Sequence, residues 1–440
     1  MHWPSSRAAL WVPAPSAQRA LHATRPSPRL WGGTRIAKRR PISRQVQQSI
    51  DQVFAAARVR FDQKIVRPPI VRAIAFFAGI STVTLLGCAA WSVAKTESLG
   101  QDISAGFWTP VTSLLSNQNG AQRLAMAADK KQVQCINHAL YTTDQWLQVL
   151  PRVVREPILR FGAMTGEWYT SLPNYQQAAA PIVFINALVF AAWLVGPRLR
   201  TTAWMTHNAT HRPASGLVFT MLTSVFSHKA PMHFLFNNVA LWSVGGSALT
   251  GLAVLQAMNG PATVPEATAL PQFVAFFVSA GTFASLASHL VIAVRWRIAA
   301  ETLRISSRNL TRAMSTAKVR FANQTRNTAV QLALLAQRAS LGASGAIYAA
   351  FMLSACAFPQ ASLSIIFLPF TAIPIQWGMA GLVTLDIIGI VRGWQAFDHV
   401  AHLGGALFGL FYYMYGAEAW NSAKRFAAYI RHGKPTPQYT

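Results

Sequence analysis

Charge is what this sequence has least of. Only 12% of its 440 residues are Asp, Glu, Lys or Arg, while 52% are hydrophobic, and a soluble domain carries about twice that charged share. Acidic residues are scarcest, 13 against 39 Lys plus Arg, for a formal net charge of +26. Three cysteines, Cys88, Cys135 and Cys356, are too few and too scattered for a disulfide framework or a Cys-based metal centre. Cys88 and Cys356 lie in apolar runs and read as packing residues. Disorder is excluded as well, because so apolar a chain can bury enough surface to offset its ordering entropy. What remains is an all-α polytopic membrane protein. The positive excess would suit nucleic acid only if it formed one basic face of a soluble domain; it sits at the chain's beginning and in its loops, so no nucleic-acid partner is expected.

Residues 1–50 hold nine Lys or Arg, no Asp or Glu, and frequent Ser, Ala and Pro. They lack the uninterrupted apolar core of a secretory signal and have the composition of a mitochondrial transit peptide; a disordered basic tail is the alternative. Uncharged stretches follow that can be measured against the roughly 20 residues a helix needs to cross about 30 Å of hydrocarbon. Residues 73–94, within an amino-terminal segment 51–95, qualify. Residues 96–177 mix charges with amphipathic pieces and read as a soluble or surface-lying linker. Further spans are expected at about 178–195, 232–249 and 273–294. Residues 339–385 are uncharged, too long for one crossing and broken by Pro359, Pro369 and Pro374, so two spans are read there. The last lies at about 397–414. One isolated helix then precedes six, with a basic insertion at 297–338 inside a core 178–416 and a basic carboxyl tail 417–440.

Lys and Arg stay on the side from which a chain is not translocated. Loop 196–231 holds Arg198, Arg200, Arg212 and Lys229, and 297–338 holds eight Lys or Arg against Glu301. Both basic loops then share a side with the amino terminus, expected to be the matrix face of the mitochondrial inner membrane. The carboxyl terminus falls in the intermembrane space.

Polar side chains inside spans are costly and call for a reason. His228 precedes the third span, and His233 and Asn237, four apart, share one helical face near its start; two such donors can hold a negatively charged oxygen. Gly342, Ser344, Gly345 and Tyr348 open the fifth span. There the glycines permit close backbone approach, and Ser344 sits beside the free N–H groups of a helix start. In the last span, Gly405 and Gly409 form a small-residue face for a neighbouring helix, and His402 lies one turn before Gly405. If that neighbour begins at Ser344, a Ser–His pair forms inside the bundle. Taken singly, the first cluster reads sooner as interhelical hydrogen bonding and the second sooner as simple helix packing. Metal binding by His228, His233 and His402 lacks a completing carboxylate or Cys, so no metal and no cofactor is expected. Asp398, four residues before His402, reads as a helix cap more than as its partner. Asp386 is an unexplained carboxylate within the sixth span.

Together the three clusters resemble the rhomboid family of intramembrane serine proteases. The resemblance rests on His228, His233 and Asn237, on Gly342, Ser344, Gly345 and Tyr348, and on Ala401, His402, Gly405 and Gly409, in the family's order on the family's spans. The preceding helix, FDHVAHLGGALFG and IIFLPF resemble the mitochondrial, presenilin-associated rhomboid-like branch, over roughly residues 165–418. The resemblance implies a rhomboid-like six-helix core with one extra transmembrane helix. It also implies Ser344 as nucleophile and His402 as general base and acid. His233, Asn237 and the Ser344 amide would be oxyanion donors, Tyr348 would stack on His402, and His228 would support the loop. Gly342, Gly345, Gly405 and Gly409 would allow close packing. The substrates would be single-span membrane proteins met within the lipid bilayer, and a catalytically silent helix-binding protein is the alternative. The first loop lacks the family's Trp-Arg pair, and the insertion, with Arg304, Arg308 and Arg312 every fourth residue, is longer than usual and could lie on anionic lipid. A transporter would instead show paired ionisable groups at mid-membrane and inverted repeats. Substrate identity and oligomeric state have no signature in the sequence.

Overall fold

The computed structural model describes residues 66–104, 118–258, 266–312, 315–365 and 368–433. Residues 1–50, expected to be a transit peptide, and the end of the carboxyl tail lie outside them. Among the described residues there are twelve α-helices. They are α1 (Ile70–Ser104), α2 (Gln118–Trp146), α3 (Arg152–Ser171), α4 (Asn174–Leu199), α5 (Thr202–Asn208), α6 (Thr220–Thr223), α7 (Pro231–Met258), α8 (Leu270–Arg312), α9 (Ser315–Gln337), α10 (Ser344–Ala357), α11 (Ile375–Arg392) and α12 (His399–His432). The chain is an all-α polytopic membrane protein. Five helices, α1, α4, α7, α8 and α11, are long and apolar enough to cross a bilayer.

Two of the seven expected spans differ from that pattern. Helix α10 has 14 residues and is about 21 Å long at 1.5 Å per residue, short of the roughly 30 Å of hydrocarbon. Irregular chain must supply the rest, which is tolerated at that depth only when buried in protein. Helix α12 is long enough, but His402, three glycines and three tyrosines dilute its first half. It packs against α10, α8, α1 and α11, so its apolar character is not needed on every side. A further departure from expectation lies between α10 and α11, where β1 (Ser362–Ile365) and β2 (Leu368–Pro374) form an antiparallel hairpin. Its register pairs Ser362 with Pro374 and Leu363 with Ile373. Pro369 and Pro374 forbid helix there, whereas a two-stranded edge tolerates residues that cannot donate.

The insertion is a helical hairpin. Helix α8, 43 residues long, is about 64 Å from end to end, twice the hydrocarbon thickness. Helix α9 packs against α8; Leu303 and Leu332 are buried, and Ser306 Oγ lies 3.1 Å from Thr325 Oγ1. In the segment expected to lie on a surface, α2 and α3 pack together, with Ile136 against Gly166, and Trp168 stacks on Trp242 of α7 at 6.1 Å.

The core joins Phe273, Phe276 and Phe277 of α8 to Leu241 and Leu252 of α7 and to Ala346, Ala349 and Leu353 of α10. Apolar lipid gives helices no hydrophobic reason to associate, so close packing of small residues has to do it. Helices α10 and α12 show this most plainly. A Cβ added to Gly405 would collide with the Gly345 carbonyl, and one on Gly409 with that of Ala349. The helix axes meet backbone to backbone at these two places, which brings the first turns of α10 and α12 together. Helix α1 lies outside this pair, packing through Ala89 against Ala275, Trp420 and Ala423.

Candidate active site

Ser344 is the first residue of α10, preceded by a loop pinned at three points. Ser340 and His211 exchange two backbone hydrogen bonds of 2.9 Å, and Gly342 N–H donates to the Ser224 carbonyl at 2.8 Å. Ala343 N–H donates to His228 Nε2 at 3.3 Å. An accepting Nε2 requires a neutral ring, and burial, with His233 nearby, pushes His228 down to about 4. Gly342 has φ +116° and faces His233, whose Nε2 lies 2.8 Å from where a Cβ would stand. Only glycine meets both demands, the left-handed backbone and the absent side chain.

From this loop the chain enters α10 with Ser344 half-buried, its hydroxyl 2.9 Å from His402 Nε2. The two residues stand 58 positions apart and meet because of the glycine contacts just described. Tyr348, one turn into α10, stacks on the His402 ring at 4.3 Å with an interplanar angle of 15°. Behind the ring, His402 Nδ1 lies 3.1 Å from Asp386 Oδ1, and the same oxygen lies 2.6 Å from His399 Nδ1. Asp386 comes from α11 and is 3% exposed. An ionised carboxylate there only accepts, so it selects the tautomer with the proton on Nδ1 and leaves Nε2 free to receive one from Ser344.

His233 and Asn237 lie on the α7 face toward this loop. The Asn237 amide donates to the His233 carbonyl at 2.9 Å, which engages one of its two hydrogens and leaves the other. As the first residue of its helix, Ser344 has a backbone N–H without an intrahelical acceptor. Serine hydroxyl, imidazole, side-chain donors and one backbone donor thus converge on the start of α10.

Asp398 caps α12 by accepting from Ala401 N–H at 3.1 Å and accepts from Ser288 Oγ at 2.7 Å, so it serves the helix start rather than His402. The carboxylate behind His402 is Asp386, a group that spacing did not connect to the site. Its signal was present, since an ionisable residue within a span marks a functional site by default; the partners, 13 and 16 positions away on another helix, left no periodic trace.

A family model described as "Rhomboid domain" matches residues 310–419, the stretch carrying Ser344, Asp386 and His402. Over that stretch the chain is similar to the rhomboid domain. The match begins after His228, His233 and Asn237, so those three rest on geometry. The chain is also similar to curated relatives over a longer stretch. It is 30% identical over 253 residues to the mouse (Mus musculus) "Presenilin-associated rhomboid-like protein, mitochondrial", covering 57% of this chain and 52% of that one. Identity to the human (Homo sapiens) protein of the same name is 29% over 253 residues, with the same coverage. Zebrafish (Danio rerio) "Presenilin-associated rhomboid-like protein A, mitochondrial" is 26% identical over 291 residues, 66% of this chain and 61% of the relative. The chain thus spans about half the length of the first of these relatives. No solved structure matches it.

Proposed function

We propose that this rhomboid-domain protein is an intramembrane serine endopeptidase that cleaves the membrane anchors of single-span proteins. The observation that carries the reading is the 2.9 Å contact between Ser344 Oγ and His402 Nε2 at the junction of two helices inside a bundle built to cross a membrane.

Peptide hydrolysis needs water and an exposed carbonyl, while a transmembrane helix keeps its carbonyls bonded within itself. The substrate therefore unwinds locally beside α10. Ser344 Oγ attacks the exposed carbonyl carbon as His402 Nε2 takes the hydroxyl proton, and the oxygen that gains charge accepts from Ser344 N–H, His233 and Asn237. His402 gives its proton to the departing amine, and an ester to Ser344 remains. Water then attacks the ester, again giving a proton to His402, which returns it to Ser344 as the acid leaves. Asp386 holds the ring in place and stabilises its charged form. His228 keeps the Ala343 end of the loop where the attacking oxygen needs it.

The relatives' names, which say mitochondrial, and the acid-free segment 1–50 support a mitochondrial membrane; the basic loops support placing the protein in the inner membrane with its amino terminus toward the matrix and its carboxyl terminus toward the intermembrane space. Labelling purified protein with a fluorophosphonate tests the chemistry directly. Adduct on Ser344, and cleavage of a single-span substrate by wild-type but not Ser344→Ala protein, is the expected result. A wild-type chain that binds such substrates without labelling or cleaving them would be a helix-binding protein instead.

A further inference from the structure

Two polar groups behind the catalytic pair lack explanation in the hydrolysis scheme. The buried Asp386 carboxylate has three polar side chains crowded on it, His399, His402 and the Tyr348 hydroxyl, more than holding one imidazole requires. His399, 7% exposed, takes the shorter of the two bonds to Asp386, 2.6 Å against 3.1 Å for His402, yet does not touch Ser344. A Cβ on Gly389 would collide with the His399 ring, so glycine there on α11 leaves room for an imidazole.

Each of the side chains of Asp386, His399 and His402 offers one ligand atom within 4.8 Å of the others, and both histidines turn Nδ1 to Asp386 Oδ1. Two imidazole nitrogens and one carboxylate oxygen are a donor set for zinc and its first-row neighbours, and three protein ligands leave a fourth tetrahedral position open. Ligands around zinc at bond lengths near 2.1 Å stand about 3.4 Å apart, so a turn of the carboxylate by roughly an ångström would open the space. Access exists on one side. Residues 393–397 are exposed, and among them Phe397, 61% exposed, covers both rings, its centroid 6.1 Å from that of His399 and 6.2 Å from that of His402.

We propose that Asp386, His399 and His402 form a site for one divalent transition-metal ion of the zinc class, and that its occupation holds the hydrolase inactive. The metal takes the Nδ1 lone pair of His402, and the ring's single proton moves from Nδ1 to Nε2. Nε2 then donates to Ser344 Oγ instead of accepting from it, and no base remains for the nucleophile. The inhibitory half of this inference rests on the protease reading above; the binding half does not.

Metal-stripped full-length Ser344→Ala protein, which cannot consume itself, is titrated with Zn2+ by calorimetry and with Co2+ by visible absorption. One saturable site per chain with the bands of tetrahedral cobalt is expected. Asp386→Asn and His399→Gln should abolish it, and His432→Gln, which removes a surface contact with Glu97, should leave it intact. X-ray absorption on zinc-loaded protein without further substitution should show two imidazoles and a carboxylate, so the site is testable even if a variant fails to fold. Stripped wild-type protein should lose its cleavage on adding stoichiometric Zn2+ and regain it with a chelator. The site is overturned by the absence of saturable binding, by binding that survives both substitutions, or by a spectrum without two imidazoles. Binding without inhibition of an active enzyme overturns the regulatory half. Stripped protein that binds zinc yet never cleaves overturns the protease reading while leaving the metal site standing.

Discussion

Helix α12 carries buried polar clusters at both ends, and they are built on opposite plans. Near its end, Glu266 Oε2 accepts from Trp420 Nε1 at 3.0 Å and from Ser92 Oγ at 3.4 Å and lies 3.7 Å from Lys424 Nζ. Charge meets charge there, and one carboxylate oxygen ties α1 to α12. Near its start, Asp386 Oδ1 holds two histidines while His399 Nε2 is buried without a hydrogen-bond partner. The first cluster spends its polarity on joining helices. The second keeps capacity in reserve, as a site must if it is to take up a proton, a developing oxyanion or an ion.

Substitutions can break this contrast at either end. The largest effect is expected from Ser344→Ala, which should abolish cleavage while leaving thermal unfolding of the solubilised protein unchanged; residual turnover would place the nucleophile elsewhere. Asp386→Asn should lower kcat by roughly 100- to 10,000-fold, because an amide no longer selects the Nδ1–H tautomer, and a pH–rate profile shifted with it would mark the loss as one of positioning. Gly405→Val pushes α12 from α10 and should cost folding and cleavage together, read as loss of the compact species in size-exclusion profiles. Glu266→Gln leaves Lys424 buried without its counter-charge and should lower stability by about 3 kcal/mol, while the rate per folded molecule stays near wild type. A fall in that rate as large as Asp386→Asn would erase the distinction between the two ends.

The smallest effect expected is in pH. His228, near 4 in the folded protein against the ordinary 6.5, binds protons more readily when unfolded. Its contribution to stability is therefore complete above pH 6.5 and is lost as pH falls toward 4. His228→Asn should flatten that acid limb in thermal melts monitored by circular dichroism.

Much of the bundle was legible because crossing a bilayer imposes length and apolarity on every span, and α1, α4, α7, α8 and α11 each show both. Helix α10 was legible by its glycines and serine but not by its length, since a helix that starts within the protein escapes the crossing rule. The hairpin β1–β2 was hidden in an uncharged stretch where prolines reported only that helix stops. Ser344 and His402 could be named from their small-residue surroundings. Asp386 and His399 could not be joined to them, because contact between helices obeys packing rather than spacing.

Composition determined by itself that this chain lives in a membrane, roughly where its long apolar spans lie, and which few polar residues had to be justified. Only the tertiary structure decided that Asp386 stands behind His402, that His399 competes for the same oxygen, and that Asp398 merely caps its helix. The reason is physical: hydrophobicity is a property each residue carries along the chain, whereas a hydrogen bond between helices exists only at the place where two backbones, freed of side chains at Gly405 and Gly409, come close enough to make it.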